Sequence, residues 1–266
     1  LGVIGCGNVG SRVARRARAL GMEVMENDPP LARSTGDARY RPLRELYKCD
    51  VLTIHTPLTM DGPDPTYHLI DEKVLQNLFE DTVIINTARS GVIDTPALKA
   101  SLLEGWVQTI LDVWDNEPSI DRELLDYSMI GTPHIAGYSI DGKIRGTWQI
   151  YQAVCGYLGI SPTTDYESLL STVAMPESYD VHIHSHIDEE VLDEAVESVY
   201  LIMGDDMELR SLLKLKDAKN FAFEFDKLRK NYYRRREFAS TTIRLIHATQ
   251  RQKEKLEGIG FNVITD

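Results

Sequence analysis

Short apolar runs alternate with stretches of helical spacing through the first half of the chain. Residues 1–4 form an apolar run, and Val13, Ala14, Ala17 and Leu20 recur at helical spacing over 11–20, which predicts strand, turn and helix. A second strand is expected at 22–25, closed by Pro29 and Pro30, with the polar stretch to Arg41 read as loop. A short helix at 42–47 and a strand at 51–55 follow. Next come a helix at 71–78 capped by Asp71, a strand at 82–86, a helix opened by Asp94 or Thr95 with Pro96 in its first turn, and a strand at 109–113. Apolar pairs at 124–125 and 129–130 lead to a loop at 131–134.

Strands alternating with helices call for a mostly parallel sheet with right-handed crossovers. The loops at 56–65, 87–91, 114–118 and 131–134 all follow apolar runs, so they stand at carboxyl strand ends, where such sheets bind ligands. Beyond a helix at 141–158 and a linker at 159–176 the pattern changes. It predicts a strand at 180–187, helices at 189–203 and 223–232, a strand at 241–248, a helix to 258 and a strand at 261–264. The expected fold class is α/β: a doubly wound, mostly parallel sheet over 1–140, a returning helix and linker over 141–176, and a small α+β domain over 177–266.

The turn after the first run is Gly5-Cys6-Gly7-Asn8-Val9-Gly10. In a strand–turn–helix, Gly5 permits the tight turn, Gly7 lets a pyrophosphate approach the backbone, and Gly10 lets the helix pack close. Asp28, 18 positions beyond Gly10, stands where an acidic side chain accepts ribose hydroxyls. Together they point to a dinucleotide, contacted by Gly5, Gly7, Asn8, Val9, Gly10 and Asp28. An acid at 28 favours NAD over NADP, since a 2′-phosphate would meet a carboxylate.

Composition narrows the partners. A formal net charge of −12 over 266 residues disfavours nucleic acid and anionic membrane surfaces. No apolar run is long enough to span a bilayer and no leader peptide is read at the start, so cytoplasmic residence is expected. Cys6, Cys49 and Cys155 lie far apart, which suggests neither a disulfide framework nor a zinc site. His182, His184 and His186 alternate along a predicted strand. A polar sheet face or an interface outweighs a metal site there, so no metal is expected.

Three polar residues stand in successive strand-end loops: Arg89, Glu117 and His134. Oxidising a 2-hydroxy acid requires a base for the hydroxyl proton while hydride leaves C2, and histidine suits that task. A carboxylate such as Glu117 orients the imidazole, and a guanidinium such as Arg89 holds the substrate carboxylate.

The order of these motifs, with His55-Thr56-Pro57-Leu58, Asp112-Val113 and Thr132-Pro133-His134-Ile135-Ala136-Gly137, resembles the D-isomer-specific 2-hydroxyacid dehydrogenases. Four further stretches are similar to the erythronate-4-phosphate dehydrogenase family within them: Asp28-Pro29-Pro30, 55–71, 134–147 and the basic 225–238. The resemblance implies a Rossmann-type NAD-binding domain and a C-terminal dimerisation domain. It also implies catalysis by Arg89, Glu117 and His134, with NAD contacted by Thr56, Ala88, Asp112 and Gly137 as well, and substrate touched by Tyr138. The implied reaction is NAD-dependent oxidation of 4-phospho-D-erythronate to 2-oxo-3-hydroxy-4-phosphobutanoate, in pyridoxal 5′-phosphate (vitamin B6) synthesis. The partners it implies are a small phosphorylated 2-hydroxy acid and a second copy of the chain. Dehydrogenases for 3-phosphoglycerate or hydroxypyruvate, and a non-catalytic dinucleotide-binding dimer, are the alternatives.

Two departures accompany the resemblance. Arg89-Ser90-Gly91 stands where Arg-Gly-Ala is usual. Family members also carry an N-terminal segment forming most of the substrate domain, whereas this chain opens almost inside its first predicted strand, so turnover by the chain alone is not expected. An arginine of 234–236 is expected to reach substrate phosphate in a partner subunit.

Overall fold

The computed structural model describes residues 1–173, 178–182, 187–232 and 235–265. The chain divides into two compact units, Leu1–Ala136 with Ile202–Asn231, and Gly137–Leu201 with Tyr232–Asp266.

The first unit is built on β1 (Gly2–Ile4), α1 (Gly10–Ala19), β2 (Met25–Asn27), α2 (Pro29–Thr35), β3 (Val51–Ile54) and α3 (Glu72–Leu75). It continues through β4 (Thr82–Asn86), α4 (Thr95–Leu103), β5 (Val107–Leu111), α5 (Arg122–Tyr127) and β6 (Ile130–Gly131). All six strands are parallel, in the order β2-β1-β3-β4-β5-β6. Ile4, Leu52, Ile54 and Ile84 are buried on the sheet with Leu46, Leu75, Leu98 and Leu125 from the covering elements. Burial of this apolar surface is the main stabilising term of such a layered fold.

The expected strand at 22–25 is shifted: β2 begins at Met25, where pairing with Gly2 of β1 starts. The expected loop at 29–41 instead opens with α2. Asp28 Oδ1 accepts the Leu31 N–H at 2.9 Å, Pro29 and Pro30 occupy first-turn positions that lack an intrahelical N–H partner in any case, and Gly36 ends the helix at φ +67°.

The chain then runs through α6 (Ile140–Leu158), α7 (Tyr166–Leu170, inside the expected linker), β7 (Ser178–His182) and α8 (Asp188–Glu197). Here it departs from the expected domain boundary. The next two helices, α9 (Ile202–Ser211) and α10 (Ala218–Lys230), belong to the first unit. Leu209, Leu212, Phe221 and Phe225 join its core. Arg210 Nε meets both oxygens of Asp206 at 2.9 and 2.8 Å, and its Nη1 donates to Leu125 O. Asp206 Oδ1 in turn accepts the N–H of Gly131 on β6 at 2.7 Å. Arg122 Nη2 donates to Leu213 O at 2.8 Å and to Leu215 O. Guanidiniums spent on backbone carbonyls at helix ends thus dock this segment onto the last strand and α5.

In the second unit β7, β8 (Thr242–Ile246) and β9 (Asn262–Thr265) form a parallel sheet in that order, with α11 (Gln250–Ile259) between the last two. Val181, Ile243, Leu245, Leu256 and Phe261 form its core. Thr249 opens α11 with a reciprocal cap to Gln252. Near the start of α6, the fully buried Asp141 accepts Arg236 Nε at 3.0 Å and the Glu237 N–H at 2.8 Å. Burial pushes that carboxyl upward, but the hydrogen bonds from Arg236, Glu237 and Ser240 outweigh it and hold it below the usual range.

Candidate active site

The glycine turn divides its labour. Gly5 has φ +86°, and a Cβ there would meet the backbone of His55 at 2.8 Å. At Gly10 a Cβ would stand 1.9 Å from Gly5 O, so α1 packs on the turn only because no side chain intervenes. Gly7 has open space around it, and Gly7, Asn8 and Val9 form the exposed crest of the turn. The buried Cys6 thiol, pushed up to about 12 by burial and then by Glu26, stays protonated and takes no part as a nucleophile.

Beside the turn lies a cleft of about 570 Å³ lined by Gly5, Gly7, Asp28, Pro29, His55, Thr56 and the loop that follows. Asp28 does two structural tasks there: Oδ1 caps α2, and Oδ2 accepts the Cys6 N–H at 2.8 Å. Each oxygen keeps a lone pair for a ligand hydroxyl. Thr56 Oγ1 is buried with no hydrogen-bond partner, and a ligand polar group would satisfy it. Arg33 of α2 pairs with Asp64 of the opposite loop, Nη1 to Oδ1 at 2.9 Å, and that hydrogen bond lowers the Asp64 carboxyl. His55 accompanies them, its Nε2 2.9 Å from Thr53 Oγ1, and burial lowers it to about 4. It is therefore neutral near pH 7. An acid for ribose, an open glycine for phosphate and an unspent hydroxyl fit a dinucleotide.

At the end of β4, Asn86 clips the next loop closed: its Oδ1 accepts the Ala88 N–H at 3.0 Å and its Nδ2 donates to Arg89 O at 3.0 Å. Arg89 emerges from that clip exposed, its Nη1 donating to Ala88 O at 2.6 Å. The neighbouring strands β5 and β6 supply the loops of Glu117 and His134.

Those two residues meet. His134 Nδ1 stands 2.8 Å from Glu117 Oε2 and 3.1 Å from Oε1. Glu117 Oε1 also accepts the Trp114 N–H at 2.9 Å. His134 adopts φ +57°, a conformation held by its surroundings. Asp112 supplies much of that hold. The carboxylate, 3 % exposed, accepts Thr132 Oγ1 and the Ile135 N–H at 2.7 Å each, and the Ala136 N–H at 3.0 Å. Trp114 Nε1 adds a bond to Thr132 O at 2.9 Å. With Nδ1 turned to Glu117, Nε2 is the ring nitrogen left for a substrate proton.

Gly137 and Tyr138 open the second unit. Tyr138 O accepts Arg235 Nε at 3.1 Å, its ring meets Tyr232 edge-on at 5.9 Å, and Lys143 Nζ lies 4.0 Å over it. Arg235 also stacks 4.0 Å over Tyr200, and Arg236 is committed to Asp141. Arg234, His184 and His186 lie outside the described residues. Sequence reasoning missed Asn86, Trp114 and Arg229. Arg229 Nη1 lies 3.7 Å from Glu117 Oε2, but in the sequence it is one cation of a basic run.

Comparison with known proteins agrees with the structural division at residue 136 but keeps 202–231 with the C-terminal part. Residues 1–136 match the family described as D-isomer specific 2-hydroxyacid dehydrogenase, NAD binding domain, and residues 173–260 match a domain of unknown function, DUF3410. Proteins named erythronate-4-phosphate dehydrogenase from Escherichia coli and Shigella flexneri are 39 % identical over 266 residues, covering 99 % of this chain and 68 % of each relative. A D-lactate dehydrogenase from Aquifex aeolicus, solved with NAD and lactic acid, is 30 % identical with a TM-score of 0.51, covering 59 % of this chain and 53 % of its own. One from Treponema pallidum is 27 % identical with a TM-score of 0.51, covering 61 % and 54 %. The chain spans about half the length of these two solved dehydrogenases.

Proposed function

Since the chain belongs to the D-isomer specific 2-hydroxyacid dehydrogenases, with an NAD-binding domain at 1–136, and within them to the erythronate-4-phosphate dehydrogenases, we propose that it oxidises 4-phospho-D-erythronate at C2. The product is 2-oxo-3-hydroxy-4-phosphobutanoate, a step toward pyridoxal 5′-phosphate. The observation that carries this reading is the Glu117–His134 pair, 2.8 Å apart, with His134 on a loop that Asp112 clamps.

NAD, when bound, accepts the hydride from C2. Asp28, Gly7 and Thr56 would hold its adenosine diphosphate half, with Gly5, Asn8, Val9, Gly10, Ala88, Asp112 and Gly137 the other proposed contacts. His134 Nε2 takes the C2 hydroxyl proton as the C–H bond breaks, so the proton ends on the imidazole and the C–H electron pair leaves with the hydride. Glu117 keeps Nδ1 protonated and stabilises the imidazolium that results. Arg89, exposed at its strand end, holds the substrate carboxylate and polarises the C2 oxygen. Tyr138 touches substrate.

The same reading makes the protein a cytoplasmic homodimer joined through its C-terminal part. No helix among the described residues is long and apolar enough to cross a membrane. The second unit also exposes Ile150, Val154, Tyr157 and Leu158 on α6, apolar surface of the kind a second copy covers. Sedimentation at increasing concentration tests the dimer. For the activity, the purified full-length protein, the wild type of all the tests below, is given NAD with 4-phosphoerythronate, 3-phosphoglycerate or glycerate, and NADH fluorescence is followed. The account expects turnover of the first in preference to the others.

A further inference from the structure

The arginines docked around α5 and α9 are spent. Arg210 meets Asp206 and Leu125 O, and Arg122 donates to Leu213 O and Leu215 O. Arg229 on α10 differs. Its Nε is buried without an acceptor. Its nearest carboxylate oxygen, Glu117 Oε2 at 3.7 Å, lies beyond hydrogen-bond reach and already faces His134 Nδ1 at 2.8 Å. A guanidinium placed beside the acid/base pair with its buried Nε–H unused is costly to keep, by about 1–3 kcal/mol for a buried unsatisfied group. Its side chain remains 26 % exposed, so an anion entering the site can reach the tip.

We propose that Arg229 receives the second anionic group of the substrate, its phosphate, an assignment that rests on the function proposed above. Three considerations favour phosphate. Arg89 already serves the carboxylate from its own strand end. A planar fork of donors suits a phosphoryl oxygen pair. Glu117 would repel a dianion nearby, and Arg229 is the charge that offsets it. The residue also lies outside the NAD-binding domain match at 1–136 and inside the domain of unknown function at 173–260. That domain thereby contributes to substrate choice: it adds to a general 2-hydroxyacid site the charge that selects a phosphorylated one.

The test compares wild type, Arg229→Gln and Arg229→Lys on 4-phosphoerythronate and on erythronate, which keeps the carboxylate and lacks the phosphate. In Arg229→Gln the ratio of kcat/KM for the phosphorylated to the unphosphorylated substrate falls at least tenfold, through KM, and Arg229→Lys recovers part of it. Equal losses on both substrates, confined to kcat, would overturn the assignment and make Arg229 a positioning residue for Glu117. NADH affinity and Tm report whether each variant is folded. Titration of both erythronates into the NADH-loaded protein separates this claim from the activity itself. Absence of turnover in wild type defeats the dehydrogenase reading. In that case a selective loss of 4-phosphoerythronate binding in Arg229→Gln still supports the phosphate contact, and equal or unchanged binding overturns it.

Discussion

Asp112 Oδ1 accepts the backbone N–H of Ile135 at 2.7 Å, so a buried carboxylate just past β5 sets the backbone that carries His134. With Thr132 Oγ1 and the Ala136 N–H on the same carboxylate, the loop has little freedom. Asp112→Ala removes the acceptor of the Ile135 and Ala136 N–H groups and of Thr132 Oγ1 and should cost about 2–4 kcal/mol. The expected outcome is a lower Tm with kcat reduced more than NADH affinity, read by thermal denaturation and kinetics.

Glu117 orients His134 and accepts the Trp114 N–H. Glu117→Gln keeps the shape and removes the charge that stabilises the imidazolium. We expect kcat to fall by about two orders of magnitude or more, the range for impaired acid–base catalysis, with NADH affinity within about twofold of wild type. A variant retaining wild-type kcat would show that the pair is structural.

The second and third glycines of the turn make opposite predictions. Gly10→Ala drives a Cβ to 1.9 Å from Gly5 O and should lower stability by about 3 kcal/mol or more. Gly7→Ala meets nothing within 4 Å, so its Tm should match wild type while NADH binding weakens about tenfold or more. Denaturation and NADH fluorescence titration, run on both, separate folding from binding.

Asp28→Asn keeps a good helix cap for α2 and removes the charge at the ribose. The ratio of NADH to NADPH affinity should fall about tenfold, measured by fluorescence titration. An unchanged ratio would remove Asp28 from cofactor selection.

His55 is lowered from 6.5 to about 4 by burial, so between these values the unfolded chain takes up a proton that the folded chain refuses. Stability therefore falls as pH drops from about 6.5 toward 4, by about 2–3 kcal/mol for this residue. His55→Phe should flatten that part of the stability curve. Urea unfolding at stepped pH measures it.

What the sequence made legible was local. The glycine turn, the acid at 28 and the polar residues at strand ends are short signals whose spacing carries their meaning, and the structure pairs Glu117 with His134 across 17 positions. The loop expected at 29–41 failed because Pro29-Pro30 reads equally as a strand terminator and as the first turn of a helix capped by Asp28. The membership of 202–231 was illegible for another reason. Arg210 reaches Leu125 O across 85 positions and Arg122 reaches Leu213 O across 91. Backbone carbonyls leave no trace in a residue pattern. Arg229 was hidden likewise, one cation in a basic run until α10 set it beside Glu117.

The most direct test of the account is NADH formation from 4-phosphoerythronate by wild type and by His134→Ala, with the product identified as the 2-oxo acid. Wild type should turn over, and His134→Ala should do so at a rate lower by at least about two orders of magnitude with NADH binding intact. NADH binding by both proteins with no oxidation of any 2-hydroxy acid by wild type would contradict it and leave a dinucleotide-binding protein without this catalysis.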